Sequence, residues 1–257
     1  MHQRAPFRPG LSANALKLIA ILAMTVDHIT WVVFPGYCRL PGVLLLHLTG
    51  RLTCPIMCFF IAEGYHYTKN FRAYALRLLL LSVVSHFAYV LASTFGTASY
   101  QDPRSFLPFY HGSILNQTSV IPSLLAGLCM LRLNDSALSG GKKLLGMALL
   151  CLLSFPCDWS CIAALCIFAI GTNRGAGKTQ LFWCFFFVGC YALVYCISLD
   201  WLYGLLQFAV FLSVPLLRQY NGQRGGGARL QRVMKPLFYL YYPAHLFLIA
   251  LARQLLH

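Results

Sequence analysis

Acidic side chains are scarce in this chain: six Asp and Glu stand against twenty Lys and Arg in 257 residues, and charged residues of all kinds make up 10%. An ordinary soluble domain carries about a quarter. That deficit excludes a water-solvated globular surface. Metal-binding Cys or His spacing is missing too, so no structural metal is expected. There is no internal repeat and no composition shift of the kind that separates domains. What the chain has in excess is apolar side chains, 59% of the total, with a mean hydropathy of +0.67. The expected class is all-α: a polytopic bundle of membrane helices forming a single domain over residues 1–257, with the lipid bilayer as its principal partner.

A helix crossing the hydrocarbon core needs roughly 20 mostly apolar residues. Such windows centre on Leu16 to Phe34, Leu46 to Tyr65, Leu76 to Phe95, Ile114 to Leu131, Leu144 to Phe155, Cys161 to Ile170, Leu181 to Ile197, Leu202 to Leu217 and Leu237 to Ala252. About nine transmembrane helices are expected, within a range of eight to ten. The fifth and sixth windows are short, and they can equally form one broken hairpin lining a cavity. The first begins behind basic residues like a secretory signal, but it is long, carries Asp27 and His28, and has no small-residue cleavage site after it. It is expected to be retained.

Lys and Arg collect in cytoplasmic loops. Under nine spans, one alternate set of segments holds Arg4, Arg8, Lys17, Lys69, Arg72, Arg77, Arg132, Lys142, Lys143, Arg174, Lys178, Arg218, Arg224, Arg229, Arg232 and Lys235, which is 16 of the 20 basic residues. The opposite set holds Arg39, Arg104 and Arg253 with Asp102, Asp158 and Asp200, and Arg51 lies inside a helix. This alternation predicts a cytoplasmic N-terminus and a C-terminus on the outer side. It also accounts for the net charge of +14 without nucleic acid. The run RQYNGQRGGGARLQRVMK, residues 218–235, reads as a flexible inner loop on anionic headgroups, with a CoA-type or nucleotide ligand as the alternative.

Two other features carry little chemistry. GAGKT, within residues 171–180, resembles the end of a phosphate-binding Walker loop, but Thr172 stands where the first glycine is required and no soluble strand precedes it. Most of the eleven cysteines lie in apolar segments as small hydrophobes. A bridge among Cys38, Cys157 and Cys161 is left open.

Intramembrane ionisable groups are the informative residues, since each costs on the order of 2.5–3.5 kcal/mol at the bilayer centre on insertion scales. They are Asp27, His28, Arg51, Glu63, His86 and His245, with His47 and His66 near helix ends. His47 and Arg51, four apart, share a face, and an Asp27 to Arg51 ion pair between the first two spans is expected; it can serve as a register-fixing pair or in chemistry. Glu63 and His66 share a face near the expected cytoplasmic end, Glu63 roughly 18 Å along the helix from Arg51 at 1.5 Å per residue. Lys69, Arg72 and Arg77 follow there, placed to receive a phosphate-bearing donor. For His86 the expectation is a hydrogen-bonded core residue. A carboxylate beside an imidazole, as in Asp27 and His28, is how a general base is oriented.

LSANALKLIAILAMTVDHI (11–29), GRLTCPIMCFFIAEGYHYTKNFRAYALRLLLLSVVSH (50–86) and KPLFYLYYPAHLFLIALA (235–252) resemble the TraX family, integral-membrane proteins named for the conjugative-transfer N-acetyltransferase of F-pilin. The resemblance implies an integral-membrane acetyltransferase that takes acetyl-CoA from the cytoplasm and modifies an amine or hydroxyl acceptor, a pilin N-terminus or an envelope glycan. The positions that match the family's motifs are Asp27, His28, Gly50, Arg51, Pro55, Glu63, Gly64, Arg77, Tyr242, Pro243 and His245. On this reading His28 is a general base oriented by Asp27 or a neighbouring polar group, or else an acetyl carrier. Arg51 steadies the thioester oxyanion or pairs with Asp27, Glu63 belongs to the same site, and His245 is a second base. Lys69, Arg72 and Arg77 hold the donor's phosphates. Two readings from other classes stand beside it: a proton-coupled transporter relaying through Asp27, Glu63 and the histidines, and a structural subunit of an envelope assembly.

Overall fold

The computed structural model describes residues 9–93, 102–110 and 114–256. Arg4, Arg8 and Phe95, placed above in the basic set and the third window, lie outside the described residues. Helices account for every regular element among those described: α1 (Ala13–Val33), α2 (Pro41–Gly50), α3 (Thr53–Tyr67), α4 (Phe71–Ala92), α5 (Ile121–Asn134), α6 (Gly140–Ser154), α7 (Ile162–Thr172), α8 (Gly177–Ser198), α9 (Trp201–Leu206), α10 (Ser213–Arg218) and α11 (Ala228–Leu256). Taking α2 with α3, and α9 with α10, gives nine segments, the number the hydropathy windows require. Five of these are long and apolar enough to cross a bilayer by themselves.

Local sequence explains where the long segments start and break. The Ser12 hydroxyl accepts from the Ala15 N–H, the Asn70 side-chain amide oxygen from the Ala73 N–H, and the Asp200 carboxylate from the N–H groups of Leu202 and Tyr203, each satisfying orphan donors of a helix start. The second window is helical from Pro41 to Tyr67 but broken at Arg51 and Leu52. Pro55 has no N–H to give to the Arg51 carbonyl four residues back, so the helix restarts there. The eighth window is interrupted by a 3-10 turn over Gln207–Leu212. Both irregularities lie inside the protein, where neighbouring segments can satisfy the freed backbone.

The fourth window starts later than expected, and the fifth and sixth take the two-helix alternative. Helix α5 begins at Ile121, and residues 114–120 are non-helical. Residues 144–170 form two separate helices, α6 and α7, joined by a turn. Helix α6 is largely exposed, with Ser154 its one buried residue, whereas Ala163, Ala164 and Ile167 of α7 are buried. Helices α5 and α7, 14 and 11 residues long, fall short of a span because the segments before them dip inward and pair. The Asp158 N–H donates to the Thr118 carbonyl (2.8 Å) and the Gln117 N–H to that of Pro156 (2.8 Å).

Contacts between loops fall into two groups, one at each end of the bundle. At one end Leu11–Asn14 pair with residues 219–225, Tyr65 donates to Asp135, and Arg174 meets Glu63. At the other, Arg39 meets Asp200 and Arg253 meets the Ser93 carbonyl. The first group carries the segments rich in Lys and Arg and is called the basic end below. Of residues 218–235, expected to be a flexible loop, Arg218 ends α10 and 228–235 are the first turns of α11, while 219–225 are laid against the start of α1: the Asn14 amide donates to Gly225 (2.9 Å), and the Ala13 and Asn14 N–H groups to Gln223 and Arg224. Gly225 has φ +81°, and a Cβ there would collide with the Ser12 hydroxyl. Only glycine fits that crossing.

The eleven cysteines are free thiols, so Cys38, Cys157 and Cys161 are not bridged. His86 is pinned as expected: the Nε2–H donates to the Phe106 carbonyl (2.8 Å) and Nδ1 meets the Thr118 hydroxyl (3.0 Å), tying the segment before α5 to α4.

Candidate active site

A cavity of about 730 Å³ runs from the basic end to the middle of the bundle between α1, α3, α4, α5 and α11. Lys17, Lys69, Arg77, Arg224 and Lys235 line its outer part, Met24, Met57, Ile61, Leu78 and Leu124 its waist, and Asp27, His28, Arg51, Asp158, Trp159 and Tyr242 its deep part. The expected donor set is thus partly assembled: Lys69 and Arg77 reach the cavity, and Arg72 does not. Lys17, Arg224 and Lys235 take part instead, brought in by the ordered 218–227 segment. The Lys17 ammonium lies over the rings of Phe60 (5.0 Å) and Phe238 (5.2 Å), held by cation–π contacts.

In the deep part, α1 carries Asp27 and His28, but they do not pair with each other. Consecutive helical residues point about 100° apart and cannot face one another. The Asp27 carboxylate instead accepts from His47 Nδ1 (2.6 Å) and lies 3.6 Å from an Arg51 guanidinium nitrogen. The expected Asp27 to Arg51 pair is present, with His47 as a third member. His47 is fully buried, its ring 4.5 Å from that of Trp31 and 5.4 Å from that of Tyr203. Gly50 makes this approach possible: a Cβ there would overlap Asp27. Arg51 also donates to the Gln207 side chain (3.2 Å) and sits 5.6 Å from the Trp159 ring, while its Nε has no hydrogen-bond partner among the described residues.

His28 is held by His245, which comes from α11. His28 Nδ1 is 2.8 Å from His245 Nε2, and His245 Nδ1 is 2.9 Å from the Tyr241 carbonyl. A carbonyl can only accept, so His245 carries its proton on Nδ1 and presents a bare Nε2. With both rings neutral, His28 must then donate from Nδ1, which leaves its Nε2 as an unprotonated nitrogen. The neighbouring polar group that orients His28 is therefore His245, not Asp27.

Glu63 is positioned elsewhere. It lies at the cavity's basic mouth, accepting two bonds from Arg174 (2.8 and 3.0 Å), and the same guanidinium reaches the Tyr67 hydroxyl (2.9 Å). It joins neither Asp27 nor a histidine. His66 bonds the Gly171 carbonyl (3.1 Å).

Several residues of the deep part carried no sequence signal. Asp158 and Trp159 come from the turn between α6 and α7, where Trp159 (φ +62°) and Ser160 (φ +49°) both adopt left-handed backbone. Two consecutive non-glycine residues of that kind mark stored strain. The turn presents Asp158 to the cavity, on the side where Arg51 and Trp159 stand. Gln207 comes from the 3-10 interruption and is anchored by its own bond to the Tyr203 carbonyl (2.9 Å). A search for intramembrane charge passes over Gln and Trp. The positive-φ turn is invisible without coordinates.

A bundle of apolar spans with histidines, a carboxylate and an arginine gathered at depth defines a multi-pass protein of the cell membrane. It belongs to the TraX family: the family model, described as TraX protein, matches residues 12–253. The chain is similar to a probable fimbrial assembly protein FimC, serogroup H1, of Dichelobacter nodosus, at 28% identity over 254 residues, covering 95% of this chain and 97% of the relative. No solved structure matches it.

Proposed function

We propose that this protein is a membrane acetyltransferase moving an acetyl group from acetyl-CoA, entering at the basic end, to an amine or hydroxyl acceptor at His28. The observation that carries the reading is that one cavity joins five basic side chains at its mouth to a histidine with a free nitrogen at its depth. Phosphates suit Lys17, Lys69, Arg77, Arg224 and Lys235, and the apolar waist suits a long thioester-bearing arm. The basic end is then cytoplasmic, as the charge alternation requires.

His28 Nε2 takes the proton from the acceptor as its nitrogen or oxygen attacks the thioester carbonyl; the carbon–sulfur bond breaks, and the CoA thiolate leaves and is protonated. Arg51, held by Asp27 and Gln207, supports the developing oxyanion. His245 and the Tyr241 carbonyl keep His28 in the tautomer that can act. The name of the Dichelobacter nodosus relative favours an acceptor from fimbrial assembly, such as a pilin amino terminus, over an envelope glycan. Against a proton relay stands Glu63, engaged with Arg174 instead of Asp27.

The test uses wild-type and His28→Ala protein purified in detergent and incubated with radiolabelled acetyl-CoA, with and without an envelope extract. Donor binding by both, and transfer by wild type alone, is expected. Well-folded wild type that binds no acetyl-CoA refutes the reading, and transfer by His28→Ala removes His28 from the chemistry.

A further inference from the structure

A second cavity, of about 480 Å³, lies between α3, α7, α8 and α10. Its lining follows α8 from Lys178 to Val188, ten residues or roughly 15 Å. Its walls are apolar, built from side chains such as Pro55, Phe59, Ile162, Leu181 and Phe211. At one end stand Lys178 and Arg218, and neither takes part in any ion pair among the described residues.

Those two cations lie at a particular depth. Lys178 is the second residue of the candidate span Gly177–Ser198, and Arg218 is the last of the candidate span Trp201–Arg218. Both therefore sit where a bilayer's headgroup phosphates lie, at the boundary of the hydrocarbon. An elongated apolar slot capped at headgroup level by two unpaired cations complements an amphiphile with an acyl chain and an anionic phosphate head. A soluble nucleotide would leave the apolar length unused.

We infer that this slot binds an anionic phospholipid, its phosphate on Lys178 and Arg218 and an acyl chain running along α8. Lys178 is the lysine of the GAGKT run, so the phosphate chemistry that run suggested is met by a lipid headgroup. The deep end of the slot is walled by Cys54 and Trp159, which line the first cavity as well. The chain tip thus packs behind the ring that flanks Arg51. The inference holds whether or not the first cavity takes acetyl-CoA.

The experiment compares the melting temperature of the full chain in mixed micelles containing phosphatidylglycerol or phosphatidylcholine at equal mole fraction, with native mass spectrometry to count retained lipids. Phosphatidylglycerol is expected to raise the melting temperature by about 5 °C or more over phosphatidylcholine. The preference should be lost in the Lys178→Gln/Arg218→Gln double variant, kept in Lys178→Arg, and weakened when Cys184→Phe fills the slot. Equal stabilisation by the two lipids overturns the inference, as does a double variant that keeps the preference or an equal shift produced by inorganic phosphate alone. Should the double variant fail to fold, competition between the two lipids for wild type in the mass spectrometer decides, and no selective retention of phosphatidylglycerol refutes it.

Discussion

Substituting Gly50 by alanine tests the geometry on which the deep site depends. A Cβ at Gly50 would overlap the Cβ and Cγ of Asp27 and stand 2.8 Å from one carboxylate oxygen. Nonbonded carbon atoms rest about 3.5–4.0 Å apart, so α1 and α2 must separate by roughly 1 Å at their closest point. Overpacking of that kind costs about 1–3 kcal/mol. The same shift stretches the 2.6 Å contact from His47 to Asp27 and the 3.6 Å contact from Arg51. A weakened bond to a buried charge adds about 1.5–3 kcal/mol. For a chain of this size about 1 kcal/mol moves the melting temperature by roughly 2–4 °C, so Gly50→Ala should melt about 5–25 °C below wild type. Gly189→Ala is the control: it is also a glycine within a helix, but nothing lies within 4 Å of the added Cβ. It should stay within a few degrees of wild type. Thermal unfolding in detergent, followed by fluorescence and by loss of the monodisperse peak, reads both variants. Equal melting of the two would refute the claim that Gly50 sets the Asp27 cluster.

His245→Phe removes the acceptor of the His28 Nδ1 proton. Turnover should fall about 10- to 100-fold, part of the 10²–10⁴-fold a general base supplies, with acetyl-CoA affinity unchanged and partial recovery in His245→Gln. Full activity in His245→Phe would show that the orientation of His28 does not matter. Lys17→Gln with Lys235→Gln should raise the acetyl-CoA dissociation constant about 10-fold or more, whereas Arg72→Gln, outside the cavity, should change it less than about 2-fold. A titration that ranks the variants the other way would misplace the donor.

Much of the architecture follows from the order of residues. Bilayer thickness sets the length of an apolar run, so nine segments can be counted from hydropathy. The ionisable residues of the deep site, Asp27, His28, Arg51 and His245, were legible because an intramembrane charge is costly enough to stand out against its surroundings. Their partners were not. Adjacency along the chain suggested Asp27 for His28, yet helical geometry turns neighbours apart and brings in His245 from 217 residues away. Glu63 has the same sequence signal as Asp27, but the fold places Arg174 beside it at the mouth of the cavity. Gln207, Trp159 and Asp158 arrive by a 3-10 interruption and a left-handed turn, features of backbone path with no periodic signature. Hydrophobic period and charge are properties of single segments and can be read one segment at a time. Which side chains meet depends on how the segments pack against one another, and that was decided by the tertiary structure alone.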